Sequence, residues 1–343
     1  MIKFFRKIRQ TLIMKNQTGK YLKYAIGEII LVVIGILIAL QINNWNEGRK
    51  TNEKMLQILN TVKQDLVSDI GLCNNIIKNY KSKDSIRKLI FEKKLDNVDF
   101  SKIKGQYLTS DSFVLEINTN GYSRYAENID KIPKSYDSLT KILNSIYKEN
   151  KSNLDLYNSL MDDGITQQMN SLAKSKTWFS DWERGIASPE ANLYFMTDSI
   201  ALNRTTMYLS ILEALANESL RLKRRSITAI KAIEAITNNK YHLPEYTSLN
   251  LSNSIIANEL TGVYKLKENN DLSKSFNDSE MIITKKNDAL FISTNTRPEL
   301  PLYWNHGLTF FSNIGFVSFK KIDNDIQLHI QRRAGDILLI KTS

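Results

Sequence analysis

Hydrophobic and polar positions fall into three regimes along the chain, and each regime predicts a different kind of element. From Ala25 to Ile42 the sequence reads AIGEIILVVIGILIALQI, with a continuous apolar core from Ile29 to Leu40. Tyr21 and Tyr24 precede this run and Trp45 follows it, where amphipathic rings favour the headgroup level of a bilayer. Tyr24 to Trp45 spans ~31 Å at the helical rise, against a hydrocarbon core of ~30 Å. These residues predict one transmembrane helix.

Beyond it the apolar positions become periodic. Leu59, Val62, Leu66, Ile70, Cys73, Ile77 and Tyr80 are separated by steps of three and four. That spacing predicts an amphipathic helix over about 52–91 that continues the membrane helix outward. Residues 95–118 lose the period and read as a connection. A short helix is expected after Gly121, ending before Pro133, whose ring disfavours helix at Ile132. Ser135 is a candidate cap for the next helix, whose apolar face runs from Leu139 to Leu160. Asp162-Asp163-Gly164 reads as its end, with Ile165–Ala173 resuming it. Trp178, Phe179 and Trp182 then crowd into a loop-like stretch ending at Gly185. Ser188-Pro189-Glu190 is a strong helix start, and apolar periodicity persists to about Ile236 with a break near Asp198. Several long helices with short connections suggest an antiparallel bundle.

At Tyr241-His242-Leu243-Pro244 the period changes to that of strands. Ile282-Ile283-Thr284 and Leu290-Phe291-Ile292 flank Lys286-Asn287-Asp288, a hairpin turn composition. Asp323-Asn324-Asp325 separates Phe316-Val317-Ser318-Phe319 from the strictly alternating Ile326–Gln331, and Arg333-Ala334-Gly335-Asp336 leads into Ile337–Ile340. About six to eight antiparallel strands are expected here, and closure would remove their edges. Leu260-Thr261-Gly262-Val263-Tyr264 is similar to the entry strand of small lipocalin-like barrels.

Composition and charge refine this reading. The 343 residues are 42% hydrophobic with 13 Gly and 5 Pro, enough apolar mass for cores. A single cysteine, Cys73, excludes a disulfide framework and a cysteine-based zinc site. The net charge of +11 is concentrated at the start: seven of the 47 basic residues, and no acid, lie in residues 1–24. The remaining 40 bases face 36 acids, so the charge points to membrane orientation and no nucleic-acid partner is expected. The positive-inside bias puts the N-terminus in the cytoplasm and the bulk of the chain outside it. A cleaved signal peptide is opposed by the exit sequence Gln41–Glu47, which lacks a small-x-small site. A mitochondrial presequence is the other reading of an acid-free basic start. Phe4 or Phe5, Ile8 and Leu12 would let the arm lie on an anionic inner leaflet, or the arm is a topology signal alone.

The segments MIKFFRKIRQ and KYLKYAIGEIILVVIGILIALQINNWNEGRK resemble the opening of a domain-of-unknown-function family, single-pass membrane proteins of Gram-negative Bacteroidota. The likeness is most specific over residues 1–50, with YAIGEIILVVIGILIALQINNWNE as its signature. From 51 to about 240 it rests on helical character and a Gly121-Tyr122 turn-helix element. It implies a bacterial inner-membrane location with a periplasmic bulk. It supplies no activity, cofactor or site residue.

Candidate chemistry is sparse. No phosphate-loop, dinucleotide, zinc-protease or nucleophile-elbow motif occurs, and no cofactor, metal or catalytic residue is expected. His242, His306 and His329 are widely separated, and strand parity puts His329 on an outer face. Asp162-Asp163 and Asp323-Asn324-Asp325 lack the ligand spacing of a calcium loop and fit turn chemistry. Leu220–Arg225 is a basic helical run that reads as a solvated face paired with acids, or as one approaching lipid headgroups. Cys73 reads as a small buried apolar residue. Two features carry binding hypotheses. In the span, Glu28 with the small pair Gly35 and Ala39 is a candidate interaction face for a partner helix or a second copy, or Glu28 snorkels toward Lys20 or Lys23 and the small pair is incidental. Trp178, Phe179 and Trp182 form either an exposed aromatic binding patch or a cap on the helical core.

The expected architecture is an α+β membrane protein: a basic arm (1–24), a transmembrane helix (25–45), an extracytoplasmic antiparallel helical bundle (46–240) and a small antiparallel β-barrel or meander (241–343). The expected function is a membrane-tethered periplasmic interaction, scaffold or ligand-binding protein. The alternative is an extracytoplasmic enzyme whose site lies in the bundle or the β-domain.

Overall fold

The computed structural model describes residues 18–186, 188–238, 248, 250–251, 253–273, 278–287, 289–323, 325–332 and 335–342, apart from the side chains at 18–21, 24–25 and 131. The basic arm from Lys3 to Lys15, the Tyr241–Pro244 boundary with His242, and Asp288, Asn324, Arg333 and Ala334 lie outside the described residues.

The first described element is a helix of 74 residues, α1 (Thr18–Phe91). No proline interrupts it, and at 1.5 Å per residue it is ~111 Å long. Its large apolar residues from Ile29 to Ile42 are all exposed, as lipid contact requires. From Met55 onward the same helix turns amphipathic, and Leu59, Val62, Leu66, Ile70, Cys73 and Ile77 are completely buried. This one helix is long and apolar enough to cross a membrane, and it continues unbroken into the protein core.

The remaining helices before the strands pack around its C-terminal half. They are α2 (Asn97–Lys102), α3 (Asn120–Glu127), α4 (Asp137–Asn144), α5 (Lys151–Ser175), α6 (Phe179–Glu183), α7 (Pro189–Thr197) and α8 (Ser199–Thr237). Asn74 meets Lys223 of α8, whereas Lys83 lies against the Tyr208 ring, so α1 and α8 run in opposite directions. Asn153 reaches Glu218 and Ser171 reaches Arg204, so α5 is also antiparallel to α8.

Cap chemistry explains the break between the last two helices. Ser188 Oγ accepts from the Ala191 N–H with Pro189 in the first turn of α7. Asp198 then caps α8, its carboxylate accepting from Ile200 and Ala201 N–H. Three local expectations are corrected. Ser135 caps nothing: it lies in a 3-10 turn, and α4 starts after Tyr136 without a side-chain cap. Asp162-Asp163-Gly164 ends nothing either, because Met161, Gln168 and Leu172 extend the buried stripe of α5 through it and outweigh the ~1 kcal/mol cost of a mid-helix glycine. The Trp178–Gly185 stretch contains the short helix α6, terminated by Gly185 at φ +77°.

The C-terminal strands β1 (Gly262–Asn269), β2 (Glu280–Lys286), β3 (Ala289–Ser293), β4 (Leu300–His306), β5 (Thr309–Ser312), β6 (Gly315–Ile322), β7 (Asp325–Arg332) and β8 (Gly335–Lys341) pair in sequence order. β1 also pairs antiparallel with β8, so the meander closes into an eight-stranded barrel. Its interior is filled with side chains. Tyr264 is fully buried with its hydroxyl donating to Leu260 O, and Trp304 Nε1 donates to Gly307 O. The helix α9 (Ser254–Glu259) precedes β1 and contributes Ala257 to the same core. Gly335, at φ +147°, sits where a Cβ would run into the Asn270 backbone, so this corner requires glycine.

Candidate functional site

At 100° per residue, Gly35 and Ala39 lie within ~20° of Glu28, so the three share one side of α1. A Cβ at Gly35 would meet nothing within 4 Å, which leaves the helix open there to close approach.

Further along, α1 carries a buried polar layer. Asp65 and Asp69 stand one turn apart. Asp65 Oδ2 accepts the Gly121 N–H at 2.8 Å, and Asp69 Oδ1 accepts the backbone N–H of Asn118 at 3.1 Å and its Nδ2 at 2.7 Å. The two acids thereby pin the start of α3 against α1. The approach is close: a Cβ on Gly121 would lie 2.6 Å from the Val62 backbone nitrogen. Asp69 is fully buried, and its Oδ2 has no hydrogen-bond partner among the described residues. Burial pushes its carboxyl up to about 6; the Asn118 bonds oppose this and the neighbouring Asp65 adds to it. One turn on, burial pushes the Cys73 thiol up as well. Across from it, Lys223 is 1% exposed, and burial pulls its ammonium down to about 8. Its Nζ donates to Asn74 Oδ1 at 3.0 Å. Tyr122 and Tyr147 stack at 4.3 Å, the Tyr122 hydroxyl donating to Asn144.

The basic run at 220–225 is therefore not a single solvated face. Arg221 pairs with Glu218 and Arg225 with Glu149, but Lys223 is interior and Arg224 lies 3.9 Å from the Tyr303 ring centre on the barrel. Residues spaced at three and four along α8, namely Ser219, Lys223, Ile227 and Ile230, share the core stripe, and that spacing marks Lys223 as interior. The same reasoning marks Asp69, seven residues from both Val62 and Ile76.

The end of α1 docks on the barrel. Asp84 is 2% exposed and accepts from Arg87 at 2.5 and 3.0 Å and from Gln331 of β7 at 2.9 Å. Lys88 pairs with Asp336 of β8, and His329 Nε2 lies 3.1 Å from the same carboxylate. Burial acts to raise the Asp336 pKa, but the hydrogen bonds from His329 and Lys88 outweigh it and hold the carboxyl below its usual range. His329 does face outward, as parity requires, and stays partly exposed beside the Lys88–Asp336 pair. Higher on the wall, Phe316 packs on Tyr80 at 5.8 Å with Lys81 Nζ over its ring at 4.5 Å.

Trp178, Phe179 and Trp182 gather in a separate core with Phe100, Leu172 and Phe195. Trp182 is 1% exposed; Trp178 meets it edge-on at 6.3 Å, and Tyr107 stacks on it at 5.6 Å. Trp182 is therefore an interior side chain of this cluster, with Trp178 and Phe179 partly buried against it. Trp182→Ala should lower stability by about 3–5 kcal/mol, read as an earlier chemical-denaturation midpoint. A loss under ~1 kcal/mol would mean that the ring is not an interior element.

Among the described residues, no group of three His, Cys, Asp or Glu side chains could hold a metal ion. Asp162 accepts from Ser112 at 2.7 Å. His306 lies beside Lys81 and Lys223, and burial together with these cations lowers its pKa.

Comparison with known proteins places these features in one context. The model of a family of unknown function, DUF6090, matches residues 28–180. The matched stretch contains most of the apolar run of α1, from Glu28 onward, together with Asp65, Asp69, Gly121, Trp178 and Phe179; it stops short of α8 and the barrel. No curated protein matches the chain.

Proposed function

We propose that the protein is a membrane-tethered interaction module. In this reading the amino terminus lies in the cytoplasm of a bacterial cell, α1 crosses the inner membrane, and the helical region and barrel work in the periplasm as a scaffold or ligand-binding unit. The observation that carries the proposal is the continuity of α1. The same helix whose apolar Ile29–Leu40 run is exposed buries Leu59–Ile77 in the helical core and ends on the barrel through Asp84 and Lys88. A continuous helix rotates or shifts as a unit, so a partner in the membrane would reorient both folded parts together. The face bearing Glu28, Gly35 and Ala39 is the proposed contact for that partner, either a second copy or another membrane helix.

Orientation is tested with a reporter active only outside the cytoplasm, fused after β8. Activity is expected, and replacing Lys3, Arg6, Lys7 and Arg9 with Gln should reduce it; an inactive reporter beside a fluorescent cytoplasmic one would refute the topology. For the contact face, cysteine at Gly35 or Ala39 should crosslink in native membranes more efficiently than cysteine at Leu37, on the opposite side. Equal yields at all three positions would remove the face from the proposal.

A further inference from the structure

Between α5, α8 and the 105–118 connection lies a cavity of about 160 Å³, lined among others by Thr109, Met161, Gly164, Gln168, Arg204 and Met207. Its size is close to that of cavities that take one benzene-sized molecule. Three observations distinguish it from an ordinary packing gap.

The first is Gly164. It sits in the middle of the unbroken helix α5, where glycine costs ~1 kcal/mol relative to alanine, yet a Cβ there would meet nothing within 4 Å. No packing neighbour requires this glycine; what it does is leave the cavity wall open.

The second is Arg204. Its Nη2 donates to Ser171 Oγ at 2.8 Å, and it interacts with the Tyr194 hydroxyl. It forms no ion pair among the described residues, whereas Arg87, Arg184, Arg221 and Arg225 each hold a carboxylate. The nearby acid Asp111 is engaged by Lys83 at 2.8 Å. The cavity therefore carries one guanidinium without an opposing carboxylate.

The third is the division of the walls. Gln168, 6% exposed, donates to Thr109 Oγ1 at 2.8 Å and forms a fixed polar edge. Met161 and Ile211 are buried on the apolar side, and Met207 is 61% exposed beside them.

We propose that this cavity binds a small aliphatic monocarboxylate, with the carboxylate on Arg204 and the hydrocarbon tail over Gly164 between Met161 and Met207. A planar guanidinium matches a carboxylate bidentately, and one cation balances one negative charge. A phosphate dianion would leave charge uncompensated against the thioether and aliphatic walls. The assignment is independent of the topology proposed above, because the site lies wholly within the helical region and can be examined in detergent.

The test uses the full chain in detergent, with butyrate as probe and butyramide, butylamine and inorganic phosphate as controls at constant ionic strength. Thermal midpoints and equilibrium dialysis with labelled butyrate are the readouts. Butyrate should raise the midpoint saturably, since a ligand that binds only the folded state stabilises it in proportion to occupancy; the three controls should not. Arg204→Gln should weaken butyrate binding about tenfold or more while leaving the ligand-free midpoint close to wild type. Gly164→Leu, which fills the space and retains the arginine, should abolish the response; it tests the site should Arg204→Gln fold poorly. The proposal is overturned by an absent or non-saturable butyrate response, by an equal response to butyramide, by a response to phosphate alone, or by undiminished binding in folded Arg204→Gln or Gly164→Leu.

Discussion

Asp69→Asn should stabilise the protein at pH 7.5 and leave it almost unchanged near pH 4. The folded carboxyl titrates at about 6 and the ordinary value is 3.8, chiefly because burial penalises the charge. A raised folded pKa means that this group's favourable contribution is complete below the unfolded value. It is lost as pH rises through the folded one. Above pH 6 the ionised form therefore carries a cost of about 3 kcal/mol relative to the neutral acid. Asparagine keeps an acceptor for both Asn118 bonds, adds a donor where Oδ2 has no partner among the described residues, and removes the charge. The measurement is a pair of thermal midpoints for each protein across pH 4–7.5. The gap between variant and wild type should widen by several degrees as pH rises through 6. A gap that stays constant with pH would show that the carboxylate is solvated.

The second large effect concerns Gly121. Alanine there should destabilise by about 2–4 kcal/mol, because the new methyl meets backbone atoms of α1 at Val62, 2.6–2.7 Å away, and an unbroken helix cannot yield locally. Separating α3 from α1 would also lengthen the Gly121–Asp65 bond and leave an acid unpaired. Gly71→Ala provides the opposite sign on the same helix. Its Cβ meets nothing within 4 Å, and removing a mid-helix glycine should add about 0.5–1 kcal/mol. Denaturant titration of both variants decides the matter. If Gly121→Ala proves neutral, α3 is not held against α1 at this distance.

Much of this architecture is legible along the chain because it is local. The exposed apolar run, the three-and-four spacing from Leu59 to Tyr80, the Ser188-Pro189 start and the strand alternation around His329 each depend on neighbours a few residues apart. Barrel closure is not local: it pairs Tyr264 with Lys341, and no short-range pattern records that. The buried charges are an intermediate case. Lys223 is hidden within a run of bases, and Asp69 resembles any helix-surface acid until its seven-residue offsets from Val62 and Ile76 are counted. Trp178, Phe179 and Trp182 are recognisable as a cluster in the sequence, but their solvent exposure depends on Phe100 and Phe195, which lie far away in the chain.

Closure of the barrel also has a kinetic consequence. Its first and last strands are mutual neighbours, so β1 has to wait, unsatisfied along one side, until β8 has been synthesised and delivered. A polypeptide cut before Gly335 would therefore retain two open flanks, on β1 and β7, each able to recruit a strand from another molecule. Nonsense changes that remove only the final strand should consequently produce clumping and proteolytic clearance, not a slightly shortened working molecule.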